Sequence, residues 1–183
     1  LYWSAVDYYL EPKIPYYFLR RAYAPLLVSF ERAADRIAVW VVNDSPAPVA
    51  GSLALRRVRF DGRVLGELSC AVKVAPGAAR RCLDATDLGP IRLRDEFLLA
   101  DLDGNRATLT LIGERYLHLP PATLAVHAAG DEIQIATDVY ARQVALEVPG
   151  VVGAVFEDNY LDLAPGQSRK IKVIDPAGGD RVR

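Results

Sequence analysis

Ile14-Pro15-Tyr16-Tyr17-Phe18-Leu19-Arg20-Arg21-Ala22-Tyr23-Ala24-Pro25-Leu26-Leu27-Val28-Ser29-Phe30 is the stretch in which this chain changes period. Before Pro25, the residues Ile14, Tyr17, Phe18 and Ala22 recur at helical spacing and predict a helix over about 13–24. Pro12 and Pro15 fit at its start, where backbone N–H groups lack internal partners. Arg20 and Arg21 stand near its C-terminal end, where they complement the helix dipole. Pro25 disfavours helical geometry at Ala24 and ends the run. From Leu26 onward the period is two, so one short helix precedes a β-protein.

Leu26–Phe30 and Ile37–Val42 read as strands, with the turn cluster Asn43-Asp44-Ser45-Pro46 after the second. Leu53 and Leu55 alternate with smaller residues, and Val58 and Phe60 then appear on the opposite phase, the signature of a β-bulge. Asp61-Gly62 signals a hairpin turn. Leu68, Cys70, Val72 and Val74 alternate with Glu67, Ser69, Ala71 and Lys73, giving one buried and one solvated face. Phe97–Ala100, Asp103-Gly104-Asn105 and Thr108–Ile112 read as a second hairpin. Short strands punctuated by turns about every ten residues predict an antiparallel sandwich.

The expected organisation is mainly β: two antiparallel β-sandwiches preceded by one N-terminal α-helix. Its boundaries fall at 1–25 for the helical segment, 26–119 for the first sandwich, 122–174 for a small second sandwich and 175–183 for a tail. Leu119-Pro120-Pro121 marks the passage between the sandwiches, after which Thr123–His127, Glu132–Thr137, Val144–Val148, Val155–Phe156, Tyr160–Leu163 and Arg169–Ile174 restart the strand pattern. A sandwich of about fifty residues buries too little surface to stand comfortably alone, so it is expected to lean on a neighbour.

Interspersed charges with a net of −1 and the absence of a basic run argue against a nucleic-acid partner. No apolar run approaches a membrane span, and no secretory signal pattern opens the chain. The Met-free opening Leu1-Tyr2-Trp3 reads as a piece of something longer, and 18 arginines among the 22 basic residues hint at a GC-rich bacterial gene. Cys70 and Cys82 flank the turn Ala75-Pro76-Gly77-Ala78, so a hairpin there would bring them together, either as two half-buried thiols, the favoured state, or as a disulfide.

Catalytic and metal-binding chemistry find little support. His118 and His127 have no partners at metal-ligand spacing. Asp101-Leu102-Asp103-Gly104-Asn105 lacks the closing glutamate of a calcium loop and reads as a turn. Glu157-Asp158 are neighbours, which in a strand point to opposite faces and cannot flank one glycosidic bond. Asn43-Asp44-Ser45 matches a glycosylation pattern but is followed by Pro46. Trp40 lies in a run apolar on both phases and is expected in the core or between domains. No cofactor is expected.

Three motifs, in order, resemble the C-terminal region of glycoside hydrolase family 2 enzymes, especially β-mannosidases and exo-β-glucosaminidases. The first is Trp3-Ser4, Asp7-Tyr8, Pro12-Lys13, Tyr16-Tyr17 and Pro25-Leu26-Leu27-Val28-Ser29-Phe30, similar to the end of their catalytic barrel. The second, Val41-Val42-Asn43-Asp44, looks like the turn that opens their first sandwich. The third, Asp158-Asn159-Tyr160-Leu161-Asp162-Leu163-Ala164-Pro165-Gly166, looks like a signature near their C-terminus. The resemblance implies the last barrel helix followed by two immunoglobulin-like domains. It implies a parent that is a retaining β-glycosidase with two catalytic glutamates on barrel strands upstream of Trp3. No catalytic residue is then expected in this chain, and Trp3 would contact substrate only in the intact parent.

The expected partner is accordingly the missing catalytic barrel, with carbohydrate as a further candidate. A self-standing carbohydrate-binding module would instead present an exposed aromatic platform, and a protein-interaction pair a large exposed apolar patch. The crowded aromatic residues of the helix need a partner in either case. Away from a barrel, the helix is expected to repack on the first sandwich or leave its tyrosines exposed.

Overall fold

The computed structural model describes residues 4–8, 10–34, 36–149, 151 and 153–175. They fall into two compact units: Tyr23–Pro120, and the described residues before and after it.

The Tyr23–Pro120 unit contains seven strands, β1 (Leu26–Arg32), β2 (Ile37–Asn43), β3 (Val49–Arg59), β4 (Val64–Val74), β5 (Ala78–Asp84), β6 (Glu96–Leu102) and β7 (Asn105–Leu109). They form two sheets, ordered β1-β2-β5 and β4-β3-β6-β7, with every pairing antiparallel. Period-two alternation turns Val39 and Val41 of one sheet and Leu53, Leu55, Val72, Val74, Leu98 and Leu102 of the other into a shared interior. This is the antiparallel sandwich that the spacing of turns predicts, of the immunoglobulin-like kind that the resemblance implies.

The bulge expected inside β3 is not there: β3 runs in unbroken register against β6, and where its register against β4 shifts between Arg57 and Val58 the extra residue, Leu65, belongs to β4, so the change of apolar phase is a change of buried face. Val58 and Phe97 pair on the outer side of that sheet, and Phe60 stacks on Phe97 with ring centroids 5.7 Å apart and planes within 1°. β6 is therefore buried on both faces, which explains its unbroken apolar run Phe97–Ala100. The tip of the β6–β7 hairpin takes positive φ at Asp103 and Gly104, and Asp101 accepts from Gly104 N (2.8 Å) and Arg106 Nε (2.7 Å).

Two expectations for this unit need correction. The turn after β4 does not close a hairpin: β4 and β5 lie in different sheets, so Cys70 and Cys82 are not cross-strand partners. Both are free thiols, with Cys70 Sγ 3.8 Å from the Cys82 carbonyl, and burial raises the Cys82 thiol above its ordinary pKa. Trp40 is not in the core. The inward phase of β2 belongs to Val39 and Val41, so Trp40 falls on the outer face, half-buried, donating its indole N–H to Glu31 Oε2 at 2.7 Å. Asn43, by contrast, is wholly buried; its amide donates to the Ala47 and Val74 carbonyls and its oxygen accepts from Ser45. The glycosylation-like pattern is thus a structural turn.

In the other unit, α1 (Ile14–Ala22) joins β8 (Ala125–Ala129), β9 (Glu132–Ala136), β10 (Ala141–Val144), β11 (Val155–Phe156), β12 (Leu161–Leu163) and β13 (Ser168–Asp175). The sheets are β11-β13-β9-β8 and the pair β10-β12. Ile135, Val144, Phe156, Leu161, Leu163 and Ile171 form the core. The strand expected over 144–148 is displaced: β10 ends at Val144, and the chain beyond it is held by a side chain instead of a neighbouring strand. Asn159 Oδ1 accepts from Leu146 N (2.7 Å) and its Nδ2 donates to Leu146 O (3.0 Å), so one amide side chain replaces a rung of backbone ladder.

Candidate functional site

The helix and the Asp158-Asn159-Tyr160 signature meet in one place. The described residues among 4–13 are tied together by hydrogen bonds, with Asp7 N donating to Glu11 O (3.0 Å), Glu11 N to Asp7 Oδ1 (2.9 Å) and Lys13 N to Ala5 O (3.0 Å). They lead into α1, whose Tyr17 is the one buried residue of the helix. The Tyr17 ring lies edge-on to Tyr16 (centroids 5.3 Å) and tilted against Tyr160 (5.9 Å). Burial pushes its phenol above the usual tyrosine pKa, against a lowering by a backbone hydrogen bond with Phe156.

One turn on, Arg21 reaches the signature. Its Nη1 donates to Asp158 Oδ1 (2.5 Å) and to the Asn159 carbonyl (2.9 Å), and its Nη2 to the Tyr160 carbonyl (3.1 Å). Arg20 donates to the Glu157 carbonyl. Asp158 is only 9% exposed; besides Arg21 it receives Asn159 N (2.9 Å) and Arg169 Nη2 (3.4 Å). Tyr160 takes φ 50°, a left-handed conformation that presents successive carbonyls to one guanidinium. The arginines expected to complement the helix dipole are thus spent on the sandwich.

This clasp fixes one side of α1 and leaves the other bare. Of the two expected outcomes, repacking on the first sandwich or exposed tyrosines, neither describes Tyr17: α1 belongs to the unit of the C-terminal sandwich, where Tyr17 and Arg21 find partners, while Tyr23 just beyond it is 82% exposed. Ile14, Phe18 and Leu19 are 50%, 48% and 47% exposed, with Arg21 Cζ 4.7 Å over the Phe18 ring. Within its own unit the small C-terminal sandwich packs against this helix.

The other residues singled out from the sequence do not converge. Trp3 lies outside the described residues. His118 pairs with Asp95 (Nδ1 to Oδ1, 3.0 Å), while His127 is exposed on β8. Glu157 and Asp158 sit in a bend beyond β11, with Asp158 committed to two arginines. Among the described residues no group of three or more His, Cys, Asp or Glu is placed to hold a metal ion. The pairing of Arg21 with Asp158 has no signal in the sequence, since 137 positions separate them.

Comparison with known proteins agrees with this geometry. Residues 35–108 match the family model described as a mannosidase Ig/CBM-like domain, and residues 117–181 match an Ig-fold domain model of mannosidases. Beta-mannosidase B of Thermothelomyces thermophilus is 26% identical over 90% of this chain, and that of Aspergillus niger is 25% identical over 99%. The chain spans only 23% and 24% of those two proteins. Among solved structures, a β-D-mannosidase from Dictyoglomus thermophilum has a TM-score of 0.81 at 22% identity, covering 96% of this chain and 23% of that one. An exo-chitosanase from Amycolatopsis orientalis has a TM-score of 0.63 at 17% identity, covering 92% and 26%. These likenesses establish the fold, and the curated relatives are fungal.

Proposed function

We propose that this chain, which carries the two immunoglobulin-like domains of β-mannosidase-like enzymes of glycoside hydrolase family 2, braces the catalytic barrel of a larger parent. The parent hydrolyses terminal β-mannosides by the retaining route. That route needs two carboxyl groups about 5 Å apart across the scissile bond, which the barrel supplies and this chain does not. On this reading Trp3 stands near the sugar-binding mouth of the intact enzyme.

The bare side of α1 carries the reading. Leu10, Ile14, Phe18 and Leu19 are each about half exposed, and a nine-residue helix with that much apolar surface is stable in water only where something covers it. Relatives about four times as long have the chain to do so. The clasp between Arg21 and Asp158 then has a purpose: it holds α1 at a fixed position while its other side meets the barrel.

Hydrolysis separates this function from a catalytic one. The purified chain alone is expected to release no product from a chromogenic β-mannoside, whereas the intact parent does. Turnover by the chain alone would overturn the proposal.

A further inference from the structure

At one end of the Tyr23–Pro120 sandwich, four arginines, Arg57, Arg59, Arg63 and Arg92, line a recess of about 460 Å³ with a single carboxylate, Glu96, in its wall. Arg57 and Arg59 stand two apart on β3, whose register against β6 is regular there, so they share a face, and the β3–β4 turn brings Arg63 back beside Arg59, whose N–H donates to the Arg63 carbonyl (2.9 Å). Arg92 comes from the loop before β6, where its backbone N–H donates to Glu96 Oε2 (3.1 Å).

The charges in this recess do not balance. Glu96 is 4% exposed and lies 3.6 Å from Arg57 Nε, close enough for an ion pair but too far for a hydrogen bond. Arg59 Nε is 3.1 Å from Asp61 Oδ2, yet that contact is too poorly aligned to count as a hydrogen bond. Both Nε atoms are therefore screened from water with their donors unsatisfied. Arg63 and Arg92 have no carboxylate partner among the described residues. Leu65 and Leu88 complete the lining and keep part of it apolar. Like charges crowded against a low-dielectric wall repel one another, and a small anion between them relieves that repulsion.

We propose that this recess is an oxyanion site that takes a phosphate or sulfate group, either free or carried on a sugar. Guanidinium groups suit such an anion because each offers two parallel N–H donors at the spacing of two oxygens. Arg63 and Arg92, both exposed and unpaired, supply the mobile donors. Arg57, tied to the Pro90 carbonyl and to Glu96, supplies fixed positive charge behind them. The site belongs wholly to the Tyr23–Pro120 unit and does not depend on the parent's reaction.

Titrating the 183-residue chain with inorganic phosphate and with sulfate, at constant ionic strength set by chloride, tests this by amide chemical-shift changes. Saturable shifts confined to residues 57–66 and 88–96 are expected. The double variant Arg63→Ala with Arg92→Ala is expected to weaken binding at least about tenfold with an unchanged circular dichroism spectrum. Phosphate binding should tighten as the anion loses its second proton, while sulfate binding stays flat with pH because guanidinium groups remain charged. A hexose 6-phosphate binding more tightly than inorganic phosphate assigns the group to a sugar, and equal binding assigns it to the free anion. Shifts no larger than those from chloride, or equal binding by the double variant, would refute the site.

Discussion

Tyr17→Ala is expected to destabilise the C-terminal unit by about 3–4 kcal/mol, the usual cost of deleting a buried aromatic ring. Tyr17 is 1% exposed and contacts Tyr16 and Tyr160, so its removal leaves a cavity beneath α1. The other large apolar residues of the helix, Ile14, Phe18 and Leu19, are each about half exposed and do not replace its buried ring. A helix of nine residues does not persist without packing. Amide exchange over residues 14–22 should therefore rise toward that of an unfolded segment. Tyr17→Phe keeps the ring and should cost less than about 1 kcal/mol. The Tyr23–Pro120 unit has its own core and should melt as before in both variants. A Tyr17→Ala protein with unaltered exchange in the helix would contradict the packing described.

The second large effect is expected at Asp158. Asp158→Ala removes the shared acceptor of Arg21, Arg169 and the Asn159 N–H, and leaves Arg21 at the helix with only backbone carbonyls. Hydrogen bonds to charged groups contribute about 1.5–3 kcal/mol each, and the two guanidinium groups are partly exposed, so a loss of about 2–3 kcal/mol is expected for the set. Asp158→Asn preserves an oxygen acceptor and should recover roughly half of it. Arg21→Ala should cost less than Asp158→Ala, since Arg169 still faces the carboxylate. Urea melts of the three variants give the order, and equal stability of Asp158→Ala and the native chain would remove the clasp from the account.

Local pattern made much of the fold legible. Alternation in β4, the unbroken apolar run of β6 and the turns at Asp61-Gly62 and Asp103-Gly104 each report local geometry. Pairings between distant residues were not legible in the same way. Alternation says that Trp40 differs in phase from Val41, but not which phase faces inward; of the two places expected for Trp40, core or domain boundary, the core is excluded, because it lies on the outer face. The turn between Cys70 and Cys82 looks the same whether it closes a hairpin or crosses between sheets, and here it crosses. Residues 145–148 carry a strand-like composition, yet Asn159 holds them with a side chain.

The site divides along the same line. The Asp158-Asn159-Tyr160 signature was readable as a resemblance, but its role was not, because its partners lie in a helix at the other end of the chain. The helix was readable as a helix with too many aromatics. Its apolar face turned out to be split, with Tyr17 turned to the C-terminal sandwich and Phe18 turned away. The arginine recess has no motif at all, since a strand, a turn and a loop assemble it from three separate segments.

The bracing role predicts one contact above all, between the bare side of α1 and the rest of the parent. Calorimetric titration of the 183-residue chain into the parent's preceding region measures it. Leu19→Glu places a charge on a half-exposed position of α1 and leaves Tyr17 and the Arg21 contacts in place, so the chain should stay folded. The account predicts saturable binding by the native chain and a loss of about thirtyfold or more in the variant, the effect of removing a central interface residue. Equal binding by the two chains, or none by either, would contradict it.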